Sequence, residues 1–167
     1  MDKTTETNLQ AAFAGESQAH VKYLNFAEKA EKEGWLNVAR VFQAAAFAEQ
    51  IHAGNHLKAL EGIQGTAENL GAAIAGETFE VDQMYPDYMA VAEKQGEKKA
   101  LRSMRWALEA EKVHAKLYGD AKQSVEAGKD VAAVDIWVCT FCGFTMEGEP
   151  PEKCPVCNTP KDKFRKF

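Results

Sequence analysis

A chain of 167 residues can hold one domain with a substantial core plus a small accessory module. A formal net charge of −5, with no basic patch interleaved with aromatics, argues against nucleic acid as a partner. No apolar run approaches the ~20 residues that span a bilayer, and the polar residues 1–6 form no signal-peptide core, so the expectation is a cytoplasmic protein with no membrane partner.

In chain order, the first expected element is a helix over about residues 5–33, stopped by Gly34, with an inward stripe of Phe13, Glu16, His20, Tyr23, Ala27 and Ala30. A second helix follows the Gly34-Trp35 turn, and its stripe reads Val38, Phe42, Ala45, Glu49, His52, His56 and Ala59. Gly62 to Gly65 form a crossover, with Thr66 as the expected N-cap of a third helix carrying Leu70, Ala73, Glu77 and Glu80. Pro86 falls inside that helical pattern and predicts a kink or π-bulge between Glu80 and Tyr88. A fourth helix is expected over about residues 96–127, with the stripe Met104, Ala107, Glu111, His114, Tyr118 and Ala121, ended by Gly128. The expected domains are residues 1–129, a linker at 130–135 and a loop-rich module at 136–167. The module is too small to bury a sufficient core and should need a bound metal to fold.

The helical part is written twice. Asn8-Leu9-Gln10-Ala11-Ala12-Phe13-Ala14-Gly15-Glu16 returns as Asn69-Leu70-Gly71-Ala72-Ala73-Ile74-Ala75-Gly76-Glu77, and Glu49-Gln50-Ile51-His52 returns as Glu111-Lys112-Val113-His114. The offset is 61 residues up to Glu16/Glu77 and 62 from the Gly34/Gly96 pair onward, which places one extra residue between Glu77 and Gly96. Residues 8–60 and 69–122 therefore read as one helical hairpin duplicated, and two such hairpins predict a mainly α fold of four helices around a pseudo-two-fold axis.

Residues three apart on a helix share a face, so each Glu-x-x-His aims a carboxylate and an imidazole at one point. A single helical glutamate ordinarily sits at the stripe edge and reaches water. Five on apolar stripes, Glu16, Glu49, Glu77, Glu80 and Glu111, would cost several kcal/mol per ion to bury together unless cations neutralise them. Bundles that bind two irons or manganeses use this donor set. Glu16 and Glu77 would supply the first pair of ligands, Glu49 and Glu111 would bridge, and His52 and His114 would bind one metal each. Glu80 stands where the first half has Ala19 and adds a carboxylate on one side only. His20 and His56 lack histidine counterparts, since Val81 and Tyr118 occupy those places, and are expected to pack or to support ligands.

All four cysteines fall in two Cys-x-x-Cys knuckles, Cys139/Cys142 and Cys154/Cys157, a spacing that holds one metal between four thiolates. Zinc and iron both accept that cage, so a structural zinc ribbon is the alternative to an iron centre.

Together, Ala14-Gly15-Glu16-Ser17, the two Glu-x-x-His pairs, Gly76-Glu77-x-x-Glu80, Met84-Tyr85-Pro86 and the two knuckles resemble the rubrerythrins across essentially the whole chain. That resemblance implies a four-helix ferritin-like diiron bundle followed by a rubredoxin-like module. It implies two Fe ions on Glu16, Glu49, His52, Glu77, Glu80, Glu111 and His114, and one redox-active Fe on Cys139, Cys142, Cys154 and Cys157. It further implies that one metal exchanges His52 for Glu80 between redox states, and that Tyr23 and Tyr85 stand beside the reacting centre. The implied activity is a peroxidase reducing hydrogen peroxide to water, supplied with electrons by a separate NAD(P)H-dependent reductase or small electron carrier, in a homodimer or higher homo-oligomer. A ferroxidase or iron-storage protein of the ferritin-like class is the rival reading. From His114 to Gly128 is fourteen residues, about 21 Å of helix, so the thiolate-bound iron is expected to start far from its own chain's diiron site and to serve the partner's.

Overall fold

Helix α1 (Lys3–Lys32) begins where Asp2 is extended and its carboxylate accepts the Thr4 N–H at 2.8 Å, satisfying one of the unpaired donors of the first turn. Gly34, at φ +85°, lets the chain reverse into α2 (Leu36–Ala59). The two helices approach on alanines: Ala27, Ala30 and Ala39 form one buried cluster with Phe42 against it. Here the expected stripe is out by one residue. Val38 is exposed, and the buried line of α2 is Ala39, Ala46 and Ala53, spaced by seven. Closest approach goes to the residues with the smallest side chains, which leaves Phe42, Ala45 and Glu49 beside the contact line rather than on it. His20 Nδ1 lies 2.7 Å from the Ala46 carbonyl and ties α1 to α2. These elements make up the first of two compact units, Met1–Gln64, in the computed structural model, which describes residues 1–167.

The second unit, Gly65–Phe167, repeats the hairpin and adds the module. Its first helix, α3 (Thr66–Phe79), is capped by Gly65 and not by Thr66, which is already helical; the Gly65 carbonyl accepts the Asn69 N–H at 2.9 Å. After α3 comes a π turn at Glu80–Met84, closed by Tyr85 N–H on the Glu80 carbonyl, and then α4 (Tyr85–Gln95). Pro86 sits in the first turn of α4, where a missing N–H costs little. The expected distortion is thus present, and it absorbs the one-residue slip of the repeat. Gly96, at φ +73°, ends α4 before α5 (Lys98–Glu126).

The module is a three-stranded antiparallel sheet in the order β2-β1-β3, with β1 at Ile136–Cys139, β2 at Thr145–Glu147 and β3 at Phe164–Lys166. Its core is small: Cys139, Cys154 and Phe164 are buried, with Trp137, Phe144, Met146 and Val156 packed around them. The expected distance between module and helical site is corrected here. Gly128, at φ +69°, reverses the chain, and residues 130–134 run back beside Leu117, Tyr118, Ala121 and Ser124 of α5, lining a half-open cleft of about 810 Å³. Phe141 then meets Trp106 at 5.2 Å between ring centroids, and Thr145 meets His114. Length along the helix overstated the separation because the linker doubles back. No helix is long and apolar enough to cross a membrane.

Candidate metal centres

Each hairpin builds one three-donor set. On the first, Glu16 from α1 joins Glu49 and His52 from α2; on the second, Glu77 from α3 joins Glu111 and His114 from α5. Within each set the ligand atoms lie within 4.8 Å of one another. Helical spacing produces the same internal contact twice: His52 Nδ1 to Glu49 Oε2 at 2.8 Å, and His114 Nδ1 to Glu111 Oε2 at 2.7 Å. The duplication read from the sequence is therefore a duplication of geometry.

Electrostatics sharpen the second set. Burial, then the Glu111 hydrogen bond, then the charges of Glu111 and Glu80 push the Glu77 carboxyl up to about 7. Glu80, carried by the π turn, is raised by burial and by Glu111, with His114 opposing. Burial and the charges of Glu80, Glu111 and Glu77 raise the Tyr85 phenol above its usual range. Carboxylates crowded so that one is pushed toward neutrality gain by holding a cation between them. His114 Nδ1 faces both Glu111 and, at 3.9 Å, Glu77, a position suited to a proton or a metal ion. The donor set, oxygen-rich with one imidazole per hairpin, fits iron or manganese.

A stability consequence follows for the metal-free protein. With Glu77 at about 7 when folded and near 4.5 when unfolded, its proton favours the folded state fully below pH 4.5, and that contribution is lost as pH rises through 7. The urea midpoint of the helical signal should therefore fall between pH 5 and pH 7.5, and Glu77→Gln should flatten that fall. An equal fall in the variant would remove Glu77 as its source.

Tyr85 thus stands beside the second donor set. Tyr23 packs with Phe26 and Phe42, at centroid distances of 6.2 Å to each. His20 has the packing role noted above, and His56 lies one turn beyond His52, half-buried.

In the module, Cys139 Sγ lies 3.7 Å from Cys157 Sγ, and Cys142 Sγ lies 3.6 Å from Cys154 Sγ. A tetrahedral cage with 2.3 Å metal–sulfur bonds has sulfurs about 3.8 Å apart, so the four thiols stand at coordination spacing and not at disulfide spacing. Gly143, at φ +81°, turns the first knuckle and lets its N–H reach the Cys139 carbonyl at 2.9 Å. Burial pushes the Cys142 and Cys154 thiols up. Burial acts the same way on Cys157, but the Thr159 hydroxyl and N–H outweigh it and bring that thiol down to about 7.

One residue at the helical site is invisible to sequence reasoning: Thr145, whose Oγ1 lies 2.8 Å from His114 Nε2. The two are separated by 31 residues and belong to different kinds of element, so no periodicity links them.

Both centres fall inside segments shared with known proteins. The family profile described as Rubrerythrin matches residues 7–122, and that described as Rubrerythrin, rubredoxin-like domain, matches residues 137–165. Rubrerythrin-2 of Clostridium acetobutylicum is 42% identical, the alignment covering 95% of this chain and 94% of that protein. Nigerythrin of Nitratidesulfovibrio vulgaris is 35% identical, with 98% and 87% covered. A solved structure of nigerythrin in a mixed-valence state matches all of this chain and 88% of its own, at 35% identity and a TM-score of 0.56. The diiron carboxylate and histidine candidates and the four-cysteine cluster match what that family carries, and the chain belongs to the rubrerythrin family.

Proposed function

We propose that the protein is a non-haem peroxidase that reduces hydrogen peroxide to water in defence against oxidative stress. Membership of the family makes it a redox enzyme. The observation that carries the finer reading is one donor set, two glutamates and a histidine, repeated on two hairpins. In this reading Glu16 and Glu77 would supply one pair of ligands, Glu49 and Glu111 would be shared between two irons, His52 and His114 would take one ion each, and Glu80 would exchange with His52. Two irons held there would supply a pair of electrons together, and the iron of the four thiolates would return them one at a time.

The chain's own residues hold charge and protons. Converting hydrogen peroxide to two waters consumes two electrons and two protons, so a proton donor belongs beside the carboxylates. Tyr85, its phenol raised by burial and by Glu80, Glu111 and Glu77, keeps its O–H at neutral pH and offers it there. Tyr23 supplies a second phenol, held by Phe26 and Phe42. Electrons come from a separate NAD(P)H-dependent reductase or small carrier, and the protein works as a homodimer or higher homo-oligomer in the cytoplasm, where four unbridged cysteines are at home. Residues 1–129 then form the diiron domain and residues 136–167 the rubredoxin-like domain.

Anaerobically reduced, iron-loaded protein is expected to hold about three irons per chain, to turn red when the thiolate site is oxidised, and to consume one peroxide for each pair of electrons. Uptake of many further irons per chain would select the storage reading. A reduced protein inert to peroxide would overturn the proposal.

A further inference from the structure

Thr145 is the buried polar residue of the chain, 5% exposed, at the start of β2. Its hydroxyl stands 3.1 Å from the Gly143 carbonyl and 2.8 Å from His114 Nε2. The carbonyl can only accept, so the hydroxyl proton goes to Gly143, and the Thr145 oxygen accepts a proton from His114. That places the imidazole proton on Nε2 and leaves Nδ1 as the nitrogen that faces Glu111 and Glu77. The rest of the surroundings hold this contact in place. Trp106 of α5 packs on Phe141 at 5.2 Å, Arg102 lies over Trp106 at 5.2 Å, and the Cys139 N–H is bound by the Phe144 carbonyl at 2.9 Å.

We propose that Thr145 is the positioning residue through which the four-cysteine module orients His114 and is connected to it. The connection runs from Cys142 through its peptide bond to the Gly143 carbonyl, across the Thr145 hydroxyl, to His114, all within one chain. It deepens the peroxidase reading and rests on it for its use. Iron held by the four thiolates would supply electrons one at a time, and iron held by His114 would take up each electron so released. No proton has to cross, because both hydrogen bonds keep their protons on the donor side.

The closest test substitution is Thr145→Val, which keeps the shape of the residue and removes the oxygen; Thr145→Ser restores it. In the fully zinc-loaded protein, which is diamagnetic, the His114 Nε2–H should exchange slowly with solvent. Thr145→Val should speed that exchange at least about tenfold and weaken zinc binding at the helical site about 10- to 100-fold, the usual cost of losing a ligand's hydrogen-bond partner. Thr145→Ser should recover both. In the iron-loaded protein, return of the red ferric thiolate absorption after mixing with peroxide should slow at least about tenfold in Thr145→Val at unchanged final intensity. Full red intensity certifies that the module is folded. If Thr145→Val fails to hold iron in its four thiolates, Thr145→Ala, which adds no methyl in place of the hydroxyl, takes the same measurements. Unchanged exchange, zinc affinity and electron return in a folded variant would overturn the proposal. A wild-type protein that ignores peroxide would overturn the peroxidase reading alone, because the zinc measurements still decide the role of Thr145.

Discussion

Glu111→Ala is expected to lower peroxide reduction by more than about 100-fold while leaving the red four-thiolate absorption intact. Losing a partner that only orients a metal ligand costs about 10- to 100-fold, and the direct, shared ligation proposed for Glu111 should cost more. Three contacts single out Glu111 within its unit: it holds His114 at 2.7 Å, it hydrogen-bonds Glu77, and its charge acts on Glu77, Glu80 and Tyr85. Its removal should therefore also bring the Glu77 and Glu80 carboxyls down toward ordinary values in the metal-free protein. Iron analysis and carboxylate titration by NMR check the two halves of this separately. Retention of near wild-type iron and activity would show that the second donor set is not a metal centre.

Cys154→Ser is expected to abolish the metal of the module and with it the module's fold. Cys154 is fully buried, and the core around the four sulfurs contains just one other buried hydrophobic, Phe164. A structural metal in a four-ligand site contributes on the order of 10 kcal/mol to folding, more than so small a core can replace. The variant should be colourless, and its C-terminal residues should become open to proteolysis from the linker onward. The helical circular dichroism should persist, since α1 packs on α2 through Ala27, Ala30 and Ala39, and α5 lies against α3 and α4 as well as the module. Peroxide should then be consumed for a single round by pre-reduced iron and no further. A protease-resistant module without metal would refute the dependence.

Much of the helical part is legible in the chain because its determinants are local. Glu49/His52 and Glu111/His114 meet through helical spacing alone, and the same spacing appears at 2.8 and 2.7 Å. Gly34 and Gly128 mark helix ends through their own backbone preference, while the Asp2 cap of α1 lies three residues before the expected start. The π turn at Glu80–Met84 was readable from one surplus residue in the repeat and from Pro86 nearby. The four cysteines declared their cage through two short loops. Less legible was the line of contact between α1 and α2, which follows Ala39, Ala46 and Ala53 and not the larger apolar residues. The hydrophobic pattern reports which side of a helix is apolar, while the side of closest approach depends on the volumes contributed by both partners.

From the amino-acid order alone came the duplicated hairpin, the six carboxylate and imidazole groups that form the two donor sets, the four sulfurs and the break in the third helix, because each depends on residues a few positions apart or on a repeat visible by alignment of the chain with itself. Only the folded chain revealed that Gly128 turns the linker back along α5, that Phe141 rests on Trp106, and that Thr145 reaches His114 across 31 residues. Those contacts arise from the packing of a small sheet against a helix, where the partner of a hydrogen-bonding group is selected by three-dimensional proximity and leaves no periodic trace in the sequence.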